Sequence, residues 1–210
     1  MMSERCNFLF IHIPKSGGNS IQNVLRYYSE DEILLSAPHH DGVERFEVRS
    51  RRYPFRKHST LADYQKALPS DVYDRLFKFA VLRNPWERMV SWYFSPGRGV
   101  ANWDKSEFKK LILRTPTAVS YIKVDNVPSQ ASASSRENQV HNLERLIDFT
   151  DLEKGFFEVC DIVGIPRIKL PIRNKSHRKH YTHYYDSELI KIVNERFQQD
   201  VELGNFKFGE

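Results

Sequence analysis

The stretch that most limits what this chain can fold into is residues 10–20, FIHIPKSGGNS. Residues 7–13 are rich in Phe, Ile and Leu and end at Pro14, the composition of a strand buried on both faces. From Asn19 to Tyr28, apolar side chains recur at Ile21, Val24, Leu25 and Tyr28, the spacing of an amphipathic helix. Gly17 and Gly18 separate the two. Strand, glycine turn and helix in that order open a parallel α/β sheet.

The same turn has a chemistry. Backbone N–H groups of a glycine loop running into a helix N-terminus suit a phosphate group. Gly17 and Gly18 let the main chain approach a ligand closely. Lys15 adds a mobile positive charge and Ser20 a hydroxyl donor. Yet the lysine precedes the glycines. The spacing G-x-x-x-x-G-K-[ST] of triphosphate-binding loops, with a second glycine before the lysine and the Mg²⁺-holding hydroxyl after it, is absent. Standing alone, the segment reads equally well as an ordinary turn.

A second junction lies in FKFAVLRNPWERMVSWYFS, residues 77–95. Phe77 to Leu82 predicts another buried strand. Arg83 closes it, and Pro85 suits the first position of a helix running to about Phe94. Ser91 follows Arg83 by two helical turns. An arginine and a hydroxyl at one strand–helix corner suit a further phosphate; a structural ion pair for Arg83 and a solvated Ser91 are the alternative.

At 210 residues the chain has room for one sizeable core, and with neither repeat nor linker it reads as a single domain over residues 1–210. A net charge of +5 favours an anionic ligand. Acidic residues are plentiful, so a nucleic-acid-coating role is not expected. Cys6 and Cys160 have no metal or disulfide spacing and read as buried thiols of a reducing compartment. The apolar run Phe8 to Ile13 is too short to span a bilayer or to direct secretion, so the expected location is cytoplasmic. Further helices are predicted over Ser59–Leu68, with Thr60 or Ser59 near the cap, and over Glu107–Leu113, Asp151–Asp161 and Asp186–Phe197. Residues 29–58 read as polar and irregular, with a basic run at Arg49, Arg51, Arg52, Arg56 and Lys57. Residues 115–140, with Pro116, Pro128 and SQASASS, read as a surface loop.

HIPKSGGNSI together with FAVLRNPWERMVSWY resembles the carbohydrate-type sulfotransferases that use 3′-phosphoadenosine 5′-phosphosulfate (PAPS), in the group of the heparan 2-O-sulfotransferases and bacterial members. The tail LPIRNKSHRKHYTHYYDSELIKIVNERFQQDVELGNFKF is similar to the ending of that group, so the resemblance spans residues 8–28, 55–95 and about 149–208. It implies a P-loop NTPase-like three-layer α/β fold with a central parallel sheet flanked by helices. Lys15, Ser16, Gly17, Gly18, Asn19 and Ser20 would wrap the 5′-phosphosulfate, and Arg83 and Ser91 would take the 3′-phosphate. No metal would be needed, and adenosine 3′,5′-bisphosphate would leave as product. Asn19 stands where the group most often has threonine. Asp148-Phe149-Thr150 stand where it has Arg-aromatic-Glu.

The resemblance makes His58 the base for an acceptor hydroxyl, on a saccharide, and Lys15 the group that stabilises the leaving phosphate. Arg173, Lys175 and Ser176 read as a lid over the nucleotide, or as a solvated basic loop. Among the other histidines, His39 and His40 read as loop surface. His12 reads as a hydrogen-bonded core residue. His177, His180 and His183 recur every three residues without the carboxylate or thiol partners of a metal site. Two rival functions stay open at this level: a nucleotide kinase or NTPase with an atypical loop, and a non-catalytic module binding sulfated glycans.

Overall fold

In the computed structural model, which describes residues 1–35, 46–95, 102–124, 143–171 and 178–210, the two apolar runs form adjacent strands. Phe8–Ile11 (β2) and Phe77–Leu82 (β5) run parallel, Phe8 beside Phe77 and Ile11 beside Ala80. Arg145–Asp148 (β6) continues the sheet in parallel, Phe79 beside Arg145 and Leu82 beside Asp148. Met2–Ser3 (β1) pairs antiparallel with β2, giving the order β1-β2-β5-β6. The expected parallel sheet thus carries one short antiparallel edge.

Side chains of a strand alternate between faces, and both faces of this sheet are covered. Phe8, Phe10, Phe79, Val81 and Ile147 pack with Ile21, Val24 and Leu25 of Gly18–Leu25 (α1) and with Phe156, Val159 and Cys160 of Leu152–Val163 (α7). Leu9, Ile11, Ala80 and Leu82 meet Leu61 and Tyr64 of Leu61–Ala67 (α2), Val72 and Tyr73 of Ser70–Arg75 (α3), and Ile122 of Val119–Ile122 (α6). The result is three layers, which is why β2 is apolar at every position, and β5 at every position but Lys78, rather than at alternate ones. A further cluster joins Pro85–Tyr93 (α4), Lys105–Arg114 (α5) and Ser187–Arg196 (α8) through Met89, Phe108, Leu111, Leu189 and Val193. Gln198–Leu203 (α9) follows α8.

Two sequence expectations are corrected. Residues 29–58 are not irregular throughout: Glu32–Leu35 (β3) and Phe46–Arg49 (β4) form an antiparallel hairpin, Glu32 beside Arg49 and Leu35 beside Phe46. Phe46 and Val48 reach the core; each strand is only four residues long, too short for alternation to stand out. Part of the basic run is surface ion pairing, Arg51 with Glu32 and Arg52 with Glu4.

The second correction concerns residues 115–124, which include the short helix α6 and mix core positions with exposed Pro116, Ser120 and Lys123. Thr115, Ala118, Val119 and Ile122 are buried. The Asp200 carboxylate accepts the N–H groups of Ala118 (2.7 Å) and Val119 (2.9 Å) and pairs with fully buried Arg88 at 3.1 Å. Arg88 also donates to the Pro116 carbonyl. The carboxylate that holds this segment lies 81 and 82 positions from the two N–H groups it accepts, beyond any local pattern. Residues 125–140 of the predicted loop lie outside the described residues.

Candidate active site

The register of the sheet brings the C-terminal ends of β2, β5 and β6 to one edge, at Ile11, Leu82 and Asp148. The turns that follow are His12 to Gly17, Arg83-Asn84 and Phe149–Asp151. Ligands of parallel α/β sheets bind at such an edge.

The first turn is tightly built. Gly17 caps α1 in the left-handed region at φ 80°, and Lys15 adopts φ 70°. That conformation costs a non-glycine residue on the order of 1 kcal/mol. Arg83 holds it, its Nη1 donating to the Lys15 carbonyl at 2.8 Å. A Cβ on Gly17 would lie 2.8 Å from Leu152 Cδ2 and 3.1 Å from Phe149 Cε2; one on Gly18 would lie 2.1 Å from His12 Cδ2. Both glycines are therefore required by their neighbours, and Gly17 by its backbone conformation as well. Ser16 Oγ is buried with no hydrogen-bond partner. The first-turn N–H groups of Gly18 and Asn19 have no intrahelical acceptor. An orphaned hydroxyl beside such N–H groups fits an anionic oxygen. Ser20 is engaged otherwise, its Oγ donating to the Pro171 carbonyl at 2.8 Å. Lys15 Nζ donates to Ser95 Oγ at 3.2 Å, just past the end of α4.

The second turn leads into α4, capped by Asn84, whose side chain accepts from the N–H of Trp86 (3.0 Å) and Glu87 (3.3 Å). Arg83 is heavily committed. Nε and Nη2 form a fork with Glu87 at 3.1 and 2.6 Å, and the guanidinium lies 4.0 Å from the Phe149 ring centroid. The ion pair considered for Arg83 from sequence is thus present, alongside its link to the loop. Ser91 is half-buried one turn beyond Glu87. Asp148 caps the third turn, accepting from Thr150 N (2.8 Å) and Oγ1 (2.7 Å). This gives the Asp-Phe-Thr substitution a local purpose: a cap and an aromatic face for Arg83.

His58 stands opposite the first turn. Ser59 Oγ accepts the Arg56 N–H at 2.9 Å, and Ser59 N donates back to Arg56 O at 3.1 Å. Thr60 and Asp63 then form a reciprocal capping box that starts α2. His58 Nδ1 lies 3.1 Å from the His12 carbonyl. A carbonyl only accepts, so Nδ1 carries the proton and Nε2 carries the lone pair. Burial holds the His58 pKa below the ordinary value, reinforced by the Lys57 cation and opposed by the His12 carbonyl bond and Glu47. Lys57 itself is lowered to about 8 by burial, with Glu47 opposing. His58 is therefore a neutral imidazole at neutral pH, suited to accept a proton.

His12 is buried, as expected, with its ring 4.6 Å from that of His58. Its Nδ1 has no hydrogen-bond partner, while the Gln22 side chain beside the imidazole favours its protonated form. His180 and His183 turn to local partners, Thr182 Oγ1 at 2.8 Å and Lys179 Nζ at 3.1 Å. His39, His40, Arg173, Lys175, Ser176 and His177 lie outside the described residues. A cavity of about 520 Å³ is lined by Trp103, Arg178, Lys179, His183 and Tyr184. Arg178 Nη2 lies 3.7 Å from Glu87 Oε1. Sequence reasoning missed Glu87, Phe149, Ser95 and Arg178. Glu87 was visible in principle, four residues after Arg83 on one helix face; the others are brought in by tertiary contacts.

Among the described residues, no helix is long and apolar enough to cross a membrane. The model of the sulfotransferase family matches residues 1–207. No curated protein and no solved structure matches the chain.

Proposed function

Because the chain belongs to the sulfotransferase family, we propose that it transfers a sulfuryl group from PAPS to a hydroxyl of a saccharide, with His58 as the base. The observation that carries this reading is the bond between His58 Nδ1 and the His12 carbonyl, which leaves the lone pair on Nε2 of a ring 4.6 Å from the His12 ring. The bound nucleotide would supply an activated sulfuryl group with a phosphate oxygen as its leaving atom.

Such a transfer needs in-line placement and stabilised charge rather than covalent help from the protein. Ser16, Gly17, Gly18, Asn19 and Ser20 would hold the 5′ end through main-chain N–H groups and hydroxyls. Lys15 would neutralise the charge developing on the leaving oxygen. Arg83 and Ser91 would take the 3′-phosphate. His58 Nε2 would take the acceptor proton, a contribution of about 10²–10⁴ in rate. Support for a saccharide acceptor comes from the motif resemblance and from the net charge of +5.

The test is transfer of labelled sulfate from PAPS to a panel of polysaccharides and small glycans, alongside calorimetry. His58→Ala should lose about 10²–10⁴ in turnover and keep the wild-type Kd for adenosine 3′,5′-bisphosphate. Tight binding of Mg-ATP but not of the bisphosphate would overturn the donor assignment. Unchanged turnover in His58→Ala would remove it as base.

A further inference from the structure

We infer, resting on the reading of His58 as the base, that Glu47 is a positioning residue for the transfer: its carboxylate fixes the peptide that precedes His58 and sets a negative charge beside the ring that takes the acceptor proton. Glu47 lies in β4. Its Oε1 accepts two main-chain N–H groups, that of Val48 at 2.9 Å and that of Lys57 at 2.7 Å. The second bond joins the hairpin to the segment that carries His58.

Two further contacts dock that segment on the same strand. Arg56 forms an antiparallel bridge with Arg49. Lys57 Nζ donates to the Phe46 carbonyl at 2.9 Å and lies 3.8 Å from the centroid of the buried Phe46 ring. The residues before His58 thus lie along β4, while Nδ1 of the ring is 3.1 Å from the His12 carbonyl. A main-chain carbonyl would also satisfy the Lys57 N–H. A carboxylate makes a stronger, charge-assisted bond and brings an anion with it.

The surroundings of the ring give that anion a use. The charged and titratable groups that face His58 are Lys57 on its own segment, Glu47 on β4, the His12 ring on the turn after β2 and the amine of Met1. Glu47 is the anion of that set. In the transfer, the acceptor oxygen bonds to sulfur, the phosphate oxygen departs, and the hydroxyl proton passes to His58 Nε2. An imidazolium then forms next to the Lys57 ammonium. A like charge nearby disfavours that form and an opposite charge favours it, so Glu47 offsets Lys57 where the proton arrives. Glu47 acts through the peptide and through its charge, not on the reacting atoms.

The experiment separates the bond from the charge. Glu47→Gln keeps an oxygen that can accept the Lys57 N–H and removes the charge; Glu47→Ala removes both. Two readouts are taken on the full chain. One is the titration of the His58 ring by NMR, assigned with His58→Gln. The other is the pH profile of kcat/KM for labelled sulfate transfer from PAPS to desulfated heparin. In Glu47→Gln the ring midpoint and the acid limb of the profile should both move to lower pH. The group favouring the charged ring is gone, and Lys57, with its pKa of about 8, is still an ammonium there. Glu47→Ala should show the same shift and a plateau lower by up to about 10²-fold, the scale of a misplaced catalytic group, with Gln losing less. Thermal melts show whether both variants fold; should Ala not, Gln still reads the shift. The ring titration needs no acceptor and decides the charge by itself: a midpoint in Glu47→Gln that stays at the wild-type value or rises overturns the assignment. So does a plateau in Glu47→Ala as high as that of the wild type. A midpoint that falls while the rate profile stays in place overturns His58 as the base, a failure distinct from loss of the Glu47 effect.

Discussion

Replacing Gly18 with alanine puts a methyl group where the His12 ring already is. The new Cβ would lie 2.1 Å from Cδ2, 2.4 Å from Nε2 and 2.7 Å from Cγ of the imidazole. Carbon atoms rest about 3.5–4.0 Å apart, so the ring must retreat by more than an ångström. It has nowhere open to go: His12 is buried, with the His58 ring at 4.6 Å and the Phe10 ring at 6.0 Å. Overpacking costs about 1–3 kcal/mol, and so large an overlap belongs at the upper end. For a domain of this size, about 3 kcal/mol lowers Tm by about 6–12 °C. Circular dichroism melts of Gly18→Ala, His12→Ala and the double variant measure it. Removing the ring should relieve the overlap, so the two changes should couple by more than about 0.5 kcal/mol. A Gly18→Ala chain that melts with the wild type, or strictly additive variants, would refute the argument that the ring dictates the glycine.

The histidines make the protein acid-sensitive. The pKa values of His12 and His58 are lowered in the fold, chiefly by burial. Below the ordinary histidine value near pH 6.5 the unfolded chain binds more protons, so stability is full above that value and is lost as pH falls through the folded values. Urea midpoints should accordingly be lower at pH 5.5 than at pH 7.5. The rate of transfer should fall on the same acid side, and Lys57→Met, which removes a cation depressing His58, should move that limb to higher pH. Asp200→Ala should cost about 3–5 kcal/mol by urea unfolding, because it leaves Arg88 charged and buried without its partner.

How much of this was legible depends on whether the signal was local. Phe77–Leu82 was read at its observed bounds, and α1, α2, α4, α7 and α8 were recognised within a few residues, because caps and periodicity are properties of short stretches. Thr60, Asn84-Pro85 and Gly164 mark ends that the structure keeps. The hairpin of β3 and β4, the edge strand β1 and strand β6 escaped, each four residues or fewer and defined by a partner elsewhere. At the candidate site, the loop and the Arg83 corner could be found from spacing. The tautomer of His58 could not, since its acceptor is a main-chain carbonyl forty-six residues away. Neither could the meeting of Arg178 with Glu87, because nothing in a basic, histidine-rich stretch distinguishes one arginine from the next.

The His12 carbonyl belongs to the end of the strand that carries the glycine turn, while His58 belongs to the segment that runs from the hairpin into α2. His58 and the glycine turn thus meet through one peptide oxygen and two tilted rings. The hairpin side reaches the ring in a second way: Glu47 of β4 raises the His58 pKa and accepts the Lys57 N–H at 2.7 Å, so remodelling that strand retunes His58 even where the Arg56–Ser59 turn still delivers Nδ1–H to that oxygen. Position and titration of the His58 ring are thus set by different segments, the first by the strand that carries the glycine turn and the second in part by the hairpin.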